Sequence, residues 1–359
     1  MKATNSSVYL VVIGLIFLFT GCKNGKTDIN PGTNAFVLED FKTVDLAESA
    51  EIITTDPDII GKVKEVRVIN DSIIALSQVQ SDVNVVLYNL RSGKYQVANH
   101  RGAGPLELTN VGSLSVDGNG NLIMAGVFDR KIISARWNPD GDNAFTELKY
   151  SPDDDCLRAV AGQGDSFIAL SSPLHHKRMI IFGSDGQPVD SLGSFPSITL
   201  PDSVMPTNFM FQADLACSPK AGKVAVSTMS WNEISICDLN SNGNEIILKG
   251  PVFPELKIVS YGGSMGIGYS PKPLWFMFFN ACASEDCFAV GYIGVEAKTK
   301  ADFDRGINSI LEFDWDGQPQ RRLLLPSEAT TFDIDYSNNI LYTIENLPDP
   351  TLVRYNLKN

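Results

Sequence analysis

Residues 111–141 read VGSLSVDGNGNLIMAGVFDRKIISARWNPDG. Short runs rich in β-branched and apolar residues alternate here with clusters of Asp, Gly, Asn and Pro. Ser113 to Val116, Leu122 to Gly126 and Ile132 to Trp137 read as strands, with a fourth at Ala144 to Tyr150. Asp117 to Asn121, Asp129-Arg130 and Pro139-Asp140-Gly141 supply turn chemistry between them. The stretch predicts a four-stranded antiparallel meander.

The same order of strand, polar turn, strand, gap, strand, Asp-Gly-like turn and strand recurs at intervals of roughly 45 to 60 residues. It spans residues 63–98, 157–193, 211–248, 274–325 and 329–357. A repeat of this kind predicts a repeated architecture. No long stretch after residue 22 carries an i, i+3, i+4, i+7 apolar face. The six units predict an all-β, six-bladed β-propeller of four-stranded antiparallel blades. The last unit is one strand short, and residues 35–46 hold a candidate to complete it and close the ring. A pair of β-sandwich domains is the runner-up, and the constant four-strand period argues against it.

GAGPLELTNVGSLSVDGNGNLIMAG, residues 102–126, resembles the repeat of six-bladed NHL-like and TolB-like propellers. Gly102, Gly104, Pro105, Glu107, Asp117, Gly120 and Asn121 carry the match. Leu108 stands where an aromatic is common, and Asn110-Val111 where a proline is common. The preceding HRGAGPLEL, residues 100–108, has phosphate-loop composition, but a strand follows it rather than a helix N-terminus. It reads as a structural corner, with Arg101 as a candidate ligand contact.

Lys2 precedes an apolar run from Val8 to Phe19. That run is shorter than the about 20 residues a spanning helix needs, and it ends in Phe19-Thr20-Gly21-Cys22. This is the layout of a secretory signal, and Thr-Gly-Cys resembles a bacterial lipobox, which implies lipidation of Cys22. The expected organisation is a signal peptide at 1–21, a polar tether at 22–34 and one propeller domain at 35–359. With the lipobox, the whole chain resembles TolB-like propeller lipoproteins of Bacteroidetes. That resemblance implies an outer-membrane lipoprotein of the cell envelope, on the periplasmic side or the surface.

The net charge is −13 with no basic patch, which argues against nucleic acid and against electrostatic adhesion to anionic lipid. The expected membrane contact is the lipid alone. Cys282 and Cys287 flank a short turn and are a candidate disulfide. No C-x-x-C, H-E-x-x-H, G-x-S-x-G or P-loop occurs. The reading leans away from an enzyme, with no metal ligands and no cofactor assigned. Calcium stays open as the ion of an alternative, a lactonase-like hydrolase with a site in the central channel. Its candidate ligands are Glu107, Asn110, Asn208, Asp214 and Glu328.

The favoured reading is a binding module that presents one face to an envelope protein, peptide or glycan. A non-catalytic assembly scaffold is a further alternative. The loops expected on that top face contribute Arg101, Arg130, His175, His176, Arg178, Trp231 and Arg305 as candidate contacts.

Overall fold

Asp-led turns shape two of the hairpins. In the computed structural model, Asp117 Oδ1 accepts from the backbone N–H groups of Asn119 and Asn121, both at 2.8 Å. The Asn121 amide returns to Asp117 Oδ2 at 2.7 Å. Gly120 occupies the left-handed region at φ +80°, which a side chain would strain. Asp314 repeats the device, accepting from Asp316 N and Gln318 N at 3.0 and 2.8 Å. A carboxylate that captures two turn amides fixes the chain reversal locally.

The structure describes residues 33–357 except 80, 127–128, 137–143, 150–157, 172–175, 197–210, 241–243, 253–256, 262–263, 269–273, 298, 300, 301 and 303. The side chains of 33, 257–276 and 297 are also outside the description. The signal peptide, Cys22, most of the tether and His175 therefore lie outside the described residues.

Three short strands open the described chain: β1 (Thr33–Ala35), β2 (Lys42–Asp45) and β3 (Ala50–Thr54). A one-turn helix, α1 (Pro57–Ile60), follows, with Asp56 capping it through a bond from Asp58 N. Then come four meanders. The first is β4 (Val63–Val68), β5 (Ile73–Gln78), β6 (Val83–Asn89) and β7 (Tyr95–His100). The second is β8 (Val111–Val116), β9 (Leu122–Gly126), β10 (Lys131–Arg136) and β11 (Ala144–Lys149). The third is β12 (Ala159–Ala161), β13 (Phe167–Leu170), β14 (Met179–Phe182) and β15 (Pro188–Leu192). The fourth is β16 (Ala213–Ser218), β17 (Lys223–Thr228), β18 (Glu233–Asp238) and β19 (Glu245–Lys249). Each is antiparallel within itself, the fourth carrying β1 at its outer edge, and the architecture is that of a β-propeller.

A hairpin, β20 (Lys257–Tyr261) and β21 (Ser264–Gly268), precedes the last strands. These are β22 (Leu274–Ala283), β23 (Cys287–Ala297), β24 (Ile307–Asp314), β25 (Pro319–Asp335), β26 (Ile340–Asn346) and β27 (Pro350–Asn356). Here the structure departs from six separate sheets. Four sheets stand as discrete blades, and β22 to β27 join with β3 and with β2, which pairs with β25, in one eight-stranded sheet. The cause is β25, which pairs with β24 through Leu323 and Leu324 and with β26 through Thr331 to Asp335 without a break.

The strand added to the end of this sheet is also not the expected one. Residues 35–46 do not pair with β27; β3 does, antiparallel, with Ile52 opposite Val353. The segment before it runs along blade edges instead. β1 lies parallel to β19 and β2 parallel to β25. The reason is packing. Phe36 and Phe41 are buried against Phe313, with ring centroids 5.1 to 5.8 Å apart and nearly perpendicular planes. Leu46 is buried in the next cluster with Leu323 and Tyr355.

HRGAGPLEL is the corner between β7 and β8. Gly104 N donates to Glu107 Oε2 at 2.9 Å, and the Asn99 amide donates to Leu106 O at 2.8 Å. A Cβ on Gly102 would lie 1.9 Å from Glu107 Oε2, so only glycine lets the carboxylate fold under the loop.

Candidate functional site

Two concave regions matter, the central channel and a cavity on the face where the connectors enter the inner strands. The channel cavity, about 140 Å³, is lined by β4, β8, β12, β16, β22 and the end of β25. Arg67 from β4 crosses it. Its Nε donates to Leu114 O at 3.0 Å, and its Nη2 to Ala281 O at 2.9 Å and Asn280 Oδ1 at 3.2 Å. Glu65 lies 2.6 Å from Nη2, and Asp333 lies 3.9 Å from Nη1.

Burial works against the Arg67 charge, but Glu65 and Asp333 hold its pKa above the ordinary value. Burial pushes the Asp333 carboxyl up, although Arg67 and the Val68 N–H, at 2.7 Å, oppose that. Asp214 is taken by Arg158 and by Asn280 N at 2.6 Å. Lys64 donates to Val111 O and Gly112 O at 3.0 and 2.8 Å, and burial lowers its pKa.

The channel therefore pairs three carboxylates with two guanidinium groups, while Lys64 is held by backbone carbonyls. A calcium site needs several oxygens converging on one point. Of the candidate ligands, Asp214 is paired as above, Glu107 is folded under its own loop, Glu328 sits in the other cavity, and Asn208 lies outside the described residues. Among the described residues no three His, Cys, Asp or Glu groups gather in metal-binding geometry. Among the described residues, Asp214, Glu107 and Glu328 therefore do not converge on one point as a calcium ion requires.

The second cavity is about 450 Å³. That is within the usual range for a small-molecule pocket, about 300 to 1,000 Å³. The loop before β24 supplies Asp304 to Ile307, the entry to the inner half of β25 supplies Glu328 to Thr330, and Met229, Phe279, Ile293 and Asn346 complete it. The Arg305 Nε donates to Glu328 Oε1, and Gly306 N donates to Glu328 Oε2 at 2.9 Å. One carboxylate so fixes both the guanidinium and the loop that carries it. The floor is apolar, with Met229, Ile293, Ile307 and Ala329 buried. Among the described residues the cavity shares no lining residue with the channel.

Of the sequence-predicted contacts among the described residues, only Arg305 lines this cavity. Arg101 is exposed at the start of the corner, bridged to Leu108. Arg130 sits at φ +51° in the turn before β10, and His176 is exposed before β14. The Trp231 ring is half-buried and stacks on Phe211, with centroids 6.5 Å apart and an interplanar angle of 9°.

Arg178 is a correction: it is 1% exposed. Its guanidinium donates to Thr228 Oγ1 at 2.6 Å and Ser235 Oγ at 3.3 Å, bracing the third blade against the fourth. Burial lowers its pKa, while Glu233 opposes the shift.

Cys282 and Cys287 are free thiols, which corrects the expected disulfide. Cys282 pairs with Ala289, so Cys287 is its diagonal neighbour across the hairpin. Diagonal pairs are about 7–8 Å apart, beyond the span of about 4.4–6.8 Å between α-carbons that a disulfide bridges.

Sequence reasoning missed Met229, Phe279 and Asn346, and treated Glu328 as a channel ligand. The available signal was the position of Glu328 directly before an inner strand.

No family model matches the chain, and no curated protein matches it. Among solved structures, it is similar to an exported protein of Bacteroides fragilis, at 13% identity over 90% of this chain and 98% of that one, with a TM-score of 0.53. It also aligns with a gluconolactonase of Xanthomonas campestris at 14% identity, covering 79% and 82% of the two chains, with a TM-score of 0.43. The β-propeller domain of Swd1 from Myceliophteria thermophila gives 13% identity, 82% and 96% coverage, and a TM-score of 0.43. At these identities the likeness concerns fold alone. Among the described residues no helix is long and apolar enough to cross a membrane.

Proposed function

We propose that this chain is a non-catalytic binding protein of the cell envelope, lipid-anchored through Cys22, that takes its ligand in the cavity built around Arg305 and Glu328. The observation that carries this is the fixed geometry of that cavity: an apolar floor beneath a guanidinium and a loop amide, both held by one carboxylate. Protein, peptide and glycan ligands all present groups that such a rim can bind.

The blade count in this reading is six, as in TolB-like and NHL-like lipoproteins of Bacteroidetes. Each half of the eight-stranded sheet is a blade, with β25 serving as outer strand of one and inner strand of the next. In support, six inner strands line one cavity, and side-chain bonds link each to its neighbour. Lys64 bonds β8, Ser113 Oγ bonds Ala159 O at 2.7 Å, Arg158 meets Asp214, and Asp214 meets Asn280 N. The Asn280 amide bonds Phe332 O at 3.1 Å, and Asp333 returns to Val68 N. In this reading β3 closes the ring.

A calcium-dependent, lactonase-like hydrolase would need free carboxylates in the channel, and those are already paired with cations. A purely structural scaffold would leave the cavity without a role.

The test is a thermal-shift screen of amino acids, peptides and oligosaccharides on wild type and on Thr330→Trp, which fills the cavity from its wall. Ligands that stabilise wild type should leave Thr330→Trp unshifted. Equal shifts in both proteins would count against the site.

A further inference from the structure

The cavity rim carries a guanidinium with an open terminal edge and, beside it, a carboxylate without a described cation. Arg305 is held only through Nε, and its two terminal nitrogens make no bond to any described residue. Asp304, the adjacent residue, is exposed, lines the same cavity and pairs with no described cation. Glu328 is not available, since both its oxygens are engaged. Beneath this rim the floor is aliphatic and thioether, with Phe279 as its aromatic member.

We infer that the ligand is a zwitterionic amino compound with a non-polar side chain, that is, a free amino acid or a short peptide, carboxylate on Arg305 and ammonium on Asp304. The inference rests on the cavity reading above and adds the ligand class.

Charge complementarity selects it. An anion alone would meet the guanidinium but also the uncompensated Asp304. A cation alone would leave the guanidinium edge unfilled. A neutral apolar body would use the floor and neither charge. Sugar hydroxyls could bond the rim, but a floor of Met229, Ile293 and Ile307 offers little flat aromatic surface for a sugar ring. A planar guanidinium whose terminal edge is open suits a carboxylate, which can accept two parallel bonds. The Glu328 anchor fixes that edge before the ligand arrives, which lowers the ordering entropy of binding.

The experiment is calorimetric titration of the purified protein with L-leucine, L-leucyl-L-leucine, N-acetyl-L-leucinamide and glycine. It is repeated on Asp304→Asn and Arg305→Gln, both exposed positions, with unfolding curves to verify folding. Leucine or leucyl-leucine should bind one to one. The blocked derivative, lacking both charges, should bind about tenfold or more weakly, as should each variant, the scale set by a lost charge-assisted hydrogen bond. Glycine, lacking the side chain, should also bind more weakly.

Equal binding of the blocked derivative, unchanged binding in Asp304→Asn, or no binding of either zwitterion would overturn the ligand class. The cavity reading fails separately, only when ligands from the wider screen stabilise Thr330→Trp as they do wild type.

Discussion

Arg67 on β4 and Asn280 on β22 meet inside the channel, guanidinium Nη2 to amide Oδ1 at 3.2 Å. They come from opposite ends of the sequence. The same amide group reaches Phe332 O on β25, so one side chain joins three inner strands. The channel is therefore filled by a bonded network, and the solvent-facing cavity lies apart from it.

Removing Arg67 would leave Glu65 and Asp333 buried without their cation. Arg67→Met should destabilise by about 3–5 kcal/mol, the usual cost of breaking a buried pair. Without the guanidinium the Asp333 carboxyl, already pushed up by burial, should titrate higher still in the folded state. The variant should then gain stability as pH falls toward the carboxylate range. Denaturant unfolding at two pH values checks both magnitude and sign.

Glu345 is 0% exposed. Thr343 and Tyr355 both donate to its Oε1, while Oε2 has no partner. Burial raises its pKa, and the two hydroxyl donors oppose that. A raised folded-state pKa means that its contribution is fully present below the unfolded value, about 4.3, and is lost as pH rises through the folded value. Glu345→Gln should therefore improve relative to wild type as pH rises through that window. Stability differences measured from pH 4 to pH 8 should show a monotonic rise, and a flat difference would mean the carboxyl titrates normally.

Burial pushes the thiols of Cys217 and Cys237 up to about 12 and raises those of Cys282 and Cys287. A thiol with pKa near 12 is ionised in only about one molecule in ten thousand at pH 8. Folded protein should react slowly with a disulfide reagent at all four positions, and denatured protein promptly. Mass spectrometry without reductant should find Cys282 and Cys287 each as a thiol.

The edge strap should contribute measurably. Phe41→Ala should cost about 3–5 kcal/mol, as large aromatic truncations in cores do. Deleting residues through Ser49 should lower the melting temperature while the chain still folds. Deleting through Thr54 should expose the edge of β27 and cause aggregation. Similar behaviour of the two deletions would assign β3 no special role.

Local chemistry was the legible part of this molecule. Asp117, Gly120 and Asn121 declare their turn within five residues, and the meanders follow from such turns. The strand that pairs with β27 was not legible, because AEIIT at 50–54 is mostly exposed and shows no clean alternation. The neighbouring FVLEDFKTVDL carries stronger apolar residues, but Phe36, Phe41 and Leu46 serve packing, not pairing. His-His-Lys-Arg at 175–178 looks like a solvated loop, yet Arg178 turns inward to Thr228 and Ser235, fifty and more residues on. Arg305 was recognisable as a candidate, but Glu328, which fixes it, lies 23 residues away across the fold. Pairings of that range are set by tertiary structure and leave no local signature.

The channel carboxylates are spent on Arg67 and Arg158, and the proposal of a binding module over a channel metalloenzyme rests on that. Thermal unfolding of the protein with added calcium, and again with EDTA, tests this most directly. The account predicts superimposable curves. A ligand bound only by the folded state, at 100 times its Kd, stabilises by about 2.7 kcal/mol. A calcium-dependent rise of that order would contradict the account and restore the channel as the site of chemistry.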